Sequence, residues 1–90
     1  MKRMYEFKSQ DKYFHKERIG LKPNTIREID LDDERFVELI THAINGFNEN
    51  LFIKIVNVQT GDVFMREITD ITWFKNMMII SWKHLEEQLK

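Results

Sequence analysis

Lys22, Thr25 and Arg27 are the residues whose types and spacing could do chemistry in this 90-residue chain, within the run Gly20-Leu21-Lys22-Pro23-Asn24-Thr25-Ile26-Arg27. A strand starting at Thr25 puts Thr25 and Arg27 on one face and Ile26 on the other. Pro23 fixes its own φ and pushes Lys22 towards extended geometry, which brings the ammonium to the same edge. Lysine, hydroxyl and guanidinium then converge on a small volume. Such a set suits a phosphate, a carboxylate or a polarised carbonyl. The competing expectation is a turn and a strand with solvated charges, since Lys and Arg are mostly exposed in folded proteins.

To position these three, a helix must stop and a strand must begin. Gly20 can adopt positive φ, which ends a helix and turns the chain. Before it, Met4 to Phe7 alternate as a first strand, with Met4 and Glu6 on one face and Tyr5 and Phe7 on the other. Ser9 is a candidate cap for a helix over 10–19, which would bury Tyr13 and Phe14 and leave Lys12, Lys16 and Glu17 wet. After the strand through residue 29, Asp32, Asp33 and Glu34 suit a helix N-terminus. Phe36, Val37, Ile40, Ala43, Ile44 and Phe47 follow at helical spacing.

Leu51 to Val58 reads as a central strand. Gln59-Thr60-Gly61-Asp62 reads as a hairpin turn. The strand from Val63 to Thr69 bends at Asp70 and extends through 71–74. Lys75-Asn76 marks another turn, Met77 to Trp82 a last apolar strand, and 83–90 a terminal helix with Leu85 and Leu89 on one side. The order β-α-β-α-β-β-β predicts one α+β domain over 1–90, a mostly antiparallel, strongly curved sheet with two packed helices.

The pattern Gly20-x-Lys22-x-x-Thr25-x-Arg27 resembles the signature of ASCH domains, small β-barrels related to PUA and EVE domains. There it lies where a short N-terminal helix enters an early barrel strand and lines a cleft. The match covers the first third of the chain. It implies a sheet curled into a partial barrel, and RNA or nucleotide binding. In some short bacterial members it implies amidohydrolase action on acylated cytidine. Lys22 and Thr25 match that enzyme's catalytic lysine and threonine, a nucleophilic threonine with a lysine activator. The third partner there is a glutamate from later in the barrel; Glu67 stands on a suitable strand, unmarked by any motif.

Composition is that of a globular protein, 42% hydrophobic and 32% charged. No apolar run reaches the length of a membrane span, and Met1-Lys2-Arg3 lacks a signal peptide's apolar stretch. Without cysteine there is no disulfide, thiol nucleophile or thiolate metal site, so the cytoplasm is permitted. Helix capping accounts for the acidic trio, which lacks the alternation of a calcium loop. No metal, cofactor or membrane is called for. Residues 1–28 carry a formal +4 and residues 29–90 a −5. That balance favours a local anionic ligand over a long DNA duplex, whose binders are more basic overall.

Trp82 is expected in the core. Trp73, beside Phe74 and a turn, is expected to be partly exposed and available for base stacking. The leading expectation is a nucleic-acid or nucleotide-binding module, with Lys22, Thr25, Arg27 and Trp73 at the ligand. The second is an interaction protein. The short Lys-, Ile- and Asn-rich chain is similar to phage or mobile-element products that inhibit host defence proteins, with a contact around Asp30 to Glu38. The third is the hydrolase.

Overall fold

A computed structural model describes residues 3–47 and 49–84. The helix expected over 83–90 lies outside them from residue 85 onward. The elements are β1 (Arg3–Ser9), α1 (Asp11–Arg18), β2 (Asn24–Glu28), α2 (Glu34–Ile44), β3 (Leu51–Asn57), β4 (Val63–Phe74) and β5 (Met77–Trp82). This is the order that the hydrophobic periodicity predicts. The strands form one five-stranded sheet in the order β1-β3-β4-β5-β2, antiparallel except for the β1–β3 pair.

Curvature comes from β4. Its first half pairs with β3, its second half with β5, and the register shifts between Ile68 and Asp70. A bulge bends its strand and increases the local twist. The twelve-residue strand therefore serves both halves of the sheet, which curls into a half-barrel. β1 and β2 remain as its two edges.

Strand alternation fills the inside. Tyr5 and Phe7 of β1, Ile53 and Ile55 of β3, Phe64 and Ile68 of β4, and Met78, Ile80 and Trp82 of β5 are all buried. Both helices cover this inner face. Phe14 of α1 meets Phe64 at a tilt, with ring centroids 5.2 Å apart, and Phe36 of α2 meets Phe7 edge-on at 5.8 Å. Leu39 is fully buried beside Phe36, whereas Val37 and Ile44, expected on the apolar face, are 44% and 71% exposed. The stripe that packs is Phe36, Leu39, Ile40 and Ala43, the i, i+3, i+4, i+7 set of one helix face.

The start of α1 is pinned by the end of β3. Asn57 is buried; its Nδ2 donates to Asp11 Oδ1 at 2.8 Å, and its Oδ1 accepts from the Gln59 N–H at 2.9 Å. The Asp11 N–H in turn donates to Gln59 Oε1 at 2.8 Å. These bonds fix which side of α1 faces the sheet. Phe14 is the apolar anchor of that side, so Phe14→Ala is expected to cost about 3–5 kcal/mol. Urea unfolding checks this, and amide exchange should show α1 loosened before the sheet.

Candidate binding site

Between the two sheet edges, where α1 spans the seam, a cavity of about 530 Å³ opens. Ser9 of β1, Tyr13 and Glu17 of α1, Lys22 of the connecting turn, and Thr25 and Arg27 of β2 line it. The turn is set by Gly20 at φ +88°, and the Lys22 N–H donates back to the Lys16 carbonyl at 3.1 Å. The Trp82 N–H then donates to the Pro23 carbonyl at 3.1 Å and starts the β2–β5 ladder.

A continuous polar chain crosses the seam. Glu17 is only 1% exposed. Its Oε1 accepts from Ser9 Oγ at 2.9 Å and its Oε2 from Lys22 Nζ at 3.3 Å. Lys22 Nζ also donates to the Asn24 carbonyl at 3.1 Å. On the other side of Ser9, Arg27 Nη2 donates to its hydroxyl at 3.0 Å, and Arg27 Nε donates to Thr25 Oγ1 at 2.8 Å. The guanidinium lies over the Phe7 ring, 5.2 Å from its centroid.

Arg27 is half-buried, and among the described residues its guanidinium donates to two hydroxyls rather than to a carboxylate. Burial pulls its proton affinity below the ordinary arginine value; the Glu17 charge opposes this shift and Arg35 adds to it. An anion bound here would relieve that desolvation. Lys8 and Lys22 add two further cations against the single negative charge of Glu17.

Lys22, Thr25 and Arg27 thus come together as their spacing predicts. Trp73 does not join them. It is 44% exposed and shares a row of the sheet with Arg27, but Met78 of β5 stands between them. Glu67 belongs to the exposed, outward positions of β4, on the far side of the sheet from the cavity. The carboxylate beside Lys22 is Glu17.

Three lining residues have other roles than the sequence suggests. Ser9 ends β1 on its buried face, and α1 starts from Gln10 with no side-chain cap. The alternation Tyr5, Phe7, Ser9 carries that signal. Glu17, expected to be wet, follows the anchor Phe14 by three and so shares its face. Tyr13, expected to be buried, is 44% exposed at the cavity, with Lys22 Nζ 5.9 Å from its ring centroid.

Among the described residues no group of three or more His, Cys, Asp or Glu is placed to hold a metal ion. None of their helices is long and apolar enough to cross a membrane. No protein-family model matches the chain, and the curated proteins give no match.

Gly20 is the most constrained position of the site. A Cβ there would sit at positive φ and 2.8 Å from the His84 ring. Gly20→Ala is expected to cost about 1–3 kcal/mol and to displace Lys22 from Glu17. Thermal unfolding and the Lys22 side-chain NMR signals check both effects.

Proposed function

We propose that the seam is a binding site for the phosphate of a nucleotide or a short single-stranded RNA. The observation that carries this reading is the half-buried Arg27 cation, held between hydroxyls and open to an anion. In this arrangement Arg27 and Lys22 hold the phosphate and Thr25 and Ser9 orient the guanidinium. A cavity of about 530 Å³ is of the size that takes small ligands. An ASCH-like resemblance would likewise put Lys22, Thr25 and Arg27 along a ligand cleft. Tyr13, at the cavity, takes the stacking role in place of Trp73. Among the described residues three cations and one carboxylate line the cavity, so a single phosphate group suits the site better than a long polyanion.

A hydrolytic reading draws on a separate observation. Glu17 stands against Lys22, which supplies the carboxylate that an ASCH-type amidohydrolase acting on a modified nucleoside would need. Against it, Thr25 is 2% exposed and its hydroxyl accepts a hydrogen bond from Arg27 rather than facing a base. Binding is therefore the leading function and catalysis the lesser one.

Fluorescence anisotropy with labelled single-stranded RNA tests the binding reading. Saturable binding should weaken as salt rises, and a folded Lys22→Ala/Arg27→Ala variant should lose it. Absence of binding by the wild type, to RNA and to labelled ATP alike, overturns the proposal. If Tyr13 stacks on the base, Tyr13→Ala should weaken affinity by about 1–3 kcal/mol, five-fold or more, in the same titration.

A further inference from the structure

The seam has two main-chain walls. In the β2–β5 ladder the Trp82 N–H donates to the Pro23 carbonyl and the Ile29 N–H to the Asn76 carbonyl. Antiparallel partners alternate between bonded and non-bonded pairs. Thr25 and Arg27 therefore bond to β5, and the main chains of Asn24, Ile26 and Glu28 face the open edge. On β1, Arg3 and Ser9 bond to Asn50 and Val58, the residues that flank β3. The alternate residues Met4, Glu6 and Lys8 thus face the other open edge.

Two of these edge carbonyls are taken, that of Asn24 by Lys22 and that of Glu6 by Arg35. The edge residues that line the cavity are Lys8 and Ile26. Among the described residues no hydrogen bond engages the main-chain N–H or C=O of either. Ile26 is flanked by Thr25 and Arg27, so its free groups adjoin the cation on which the phosphate reading rests. An outward-facing residue of an edge strand offers one donor and one acceptor side by side, the pair it would exchange with a neighbouring strand.

We propose that Ile26 reads the base of the bound nucleotide through its main chain, an inference that rests on the phosphate site proposed above. The Ile26 N–H donates to an acceptor on the Watson–Crick edge of the base, and the Ile26 C=O accepts from the donor beside it. Adenine offers its N1 and N6 amino group, cytosine its N3 and N4 amino group, guanine its O6 and N1–H, and uracil its O4 and N3–H. The site therefore tolerates all four bases and requires an unpaired one, because pairing occupies the same edge. Hydrogen bonds from a strand edge run across the strands, close to the plane of the sheet. A base held by Ile26 thus lies near that plane and turns one face to the inner side, where α1 brings Tyr13 to the cavity.

Main-chain amide and arginine side-chain NMR signals test this, with AMP, N6,N6-dimethyl-AMP and inorganic phosphate as probes. AMP should saturably shift both the Ile26 N–H and the Arg27 Nε–H, and inorganic phosphate should shift Arg27 alone. The dimethyl analogue keeps the phosphate and the ring but lacks the amino donor, and should bind about tenfold more weakly than AMP. Ile26→Pro removes the N–H at an edge position, where a strand admits proline, and should weaken AMP binding by about tenfold. A dimethyl analogue that binds as tightly as AMP overturns the base reading and leaves the phosphate site standing. So does AMP that shifts Arg27 while the Ile26 N–H stays still. If neither AMP nor phosphate moves Arg27, the phosphate site falls, and the reading of the base that rests on it falls with it.

Discussion

The buried carboxylate of Glu17 is the interaction on which the seam depends. A charge taken out of water costs several kcal/mol unless it is paired and hydrogen-bonded. Here the hydroxyl of Ser9 and the ammonium of Lys22 meet its two oxygens. Glu17 belongs to α1 and its two partners to β1 and to the turn that follows α1, so satisfying one carboxylate sets three segments relative to one another. Ser9 extends the chain to β2, because its hydroxyl also accepts from Arg27. Removing Glu17 would leave Lys22 and Ser9 at the seam without the group that orders them.

The seam exists because the sheet curls but does not close. The bulge in β4 turns the sheet through its middle, and the two edge strands approach without pairing. Open edges carry unpaired backbone groups that invite association. This protein covers two of them with cations: Lys22 donates to the Asn24 carbonyl, and Arg35 to the Glu6 carbonyl. The same lysine therefore caps an edge, pairs with Glu17 and faces the cavity. A ligand phosphate would add to interactions that already hold Lys22 in place, and such preorganisation lowers the cost of binding.

Three cations gather at one place in the fold. Lys8, Lys22 and Arg27 gather where the barrel is open, while the outer side mixes both signs, with Lys54 paired to Glu6 and Lys75 over Phe74 beside the acids Asp70 and Glu28. The inner side of the sheet is covered by Phe14, Phe36 and Leu39 from the helices. The outer side keeps Phe74 and Ile26 in contact with water.

The sequence by itself determined the order of elements, the inward faces of the strands and the grouping of Lys22, Thr25 and Arg27. Those features follow from short-range periodicity: two residues per repeat in a strand, and a turn at Gly20 that stops α1. It also indicated the bend in β4, through the break in alternation at Asp70. Tertiary structure decided the rest. Whether Glu17 or Tyr13 entered the interior depended on the phase of an eight-residue helix, and the bonds of Asp11 to Asn57 and Gln59, across more than forty positions, set that phase. Trp73 was separated from Arg27 by the pairing of both β2 and β4 with β5, a long-range register that no local pattern encodes. The carboxylate at the site came from α1 for the same reason: burial of an ionised group is decided by the partners that folding brings to it, and here they lie on other elements.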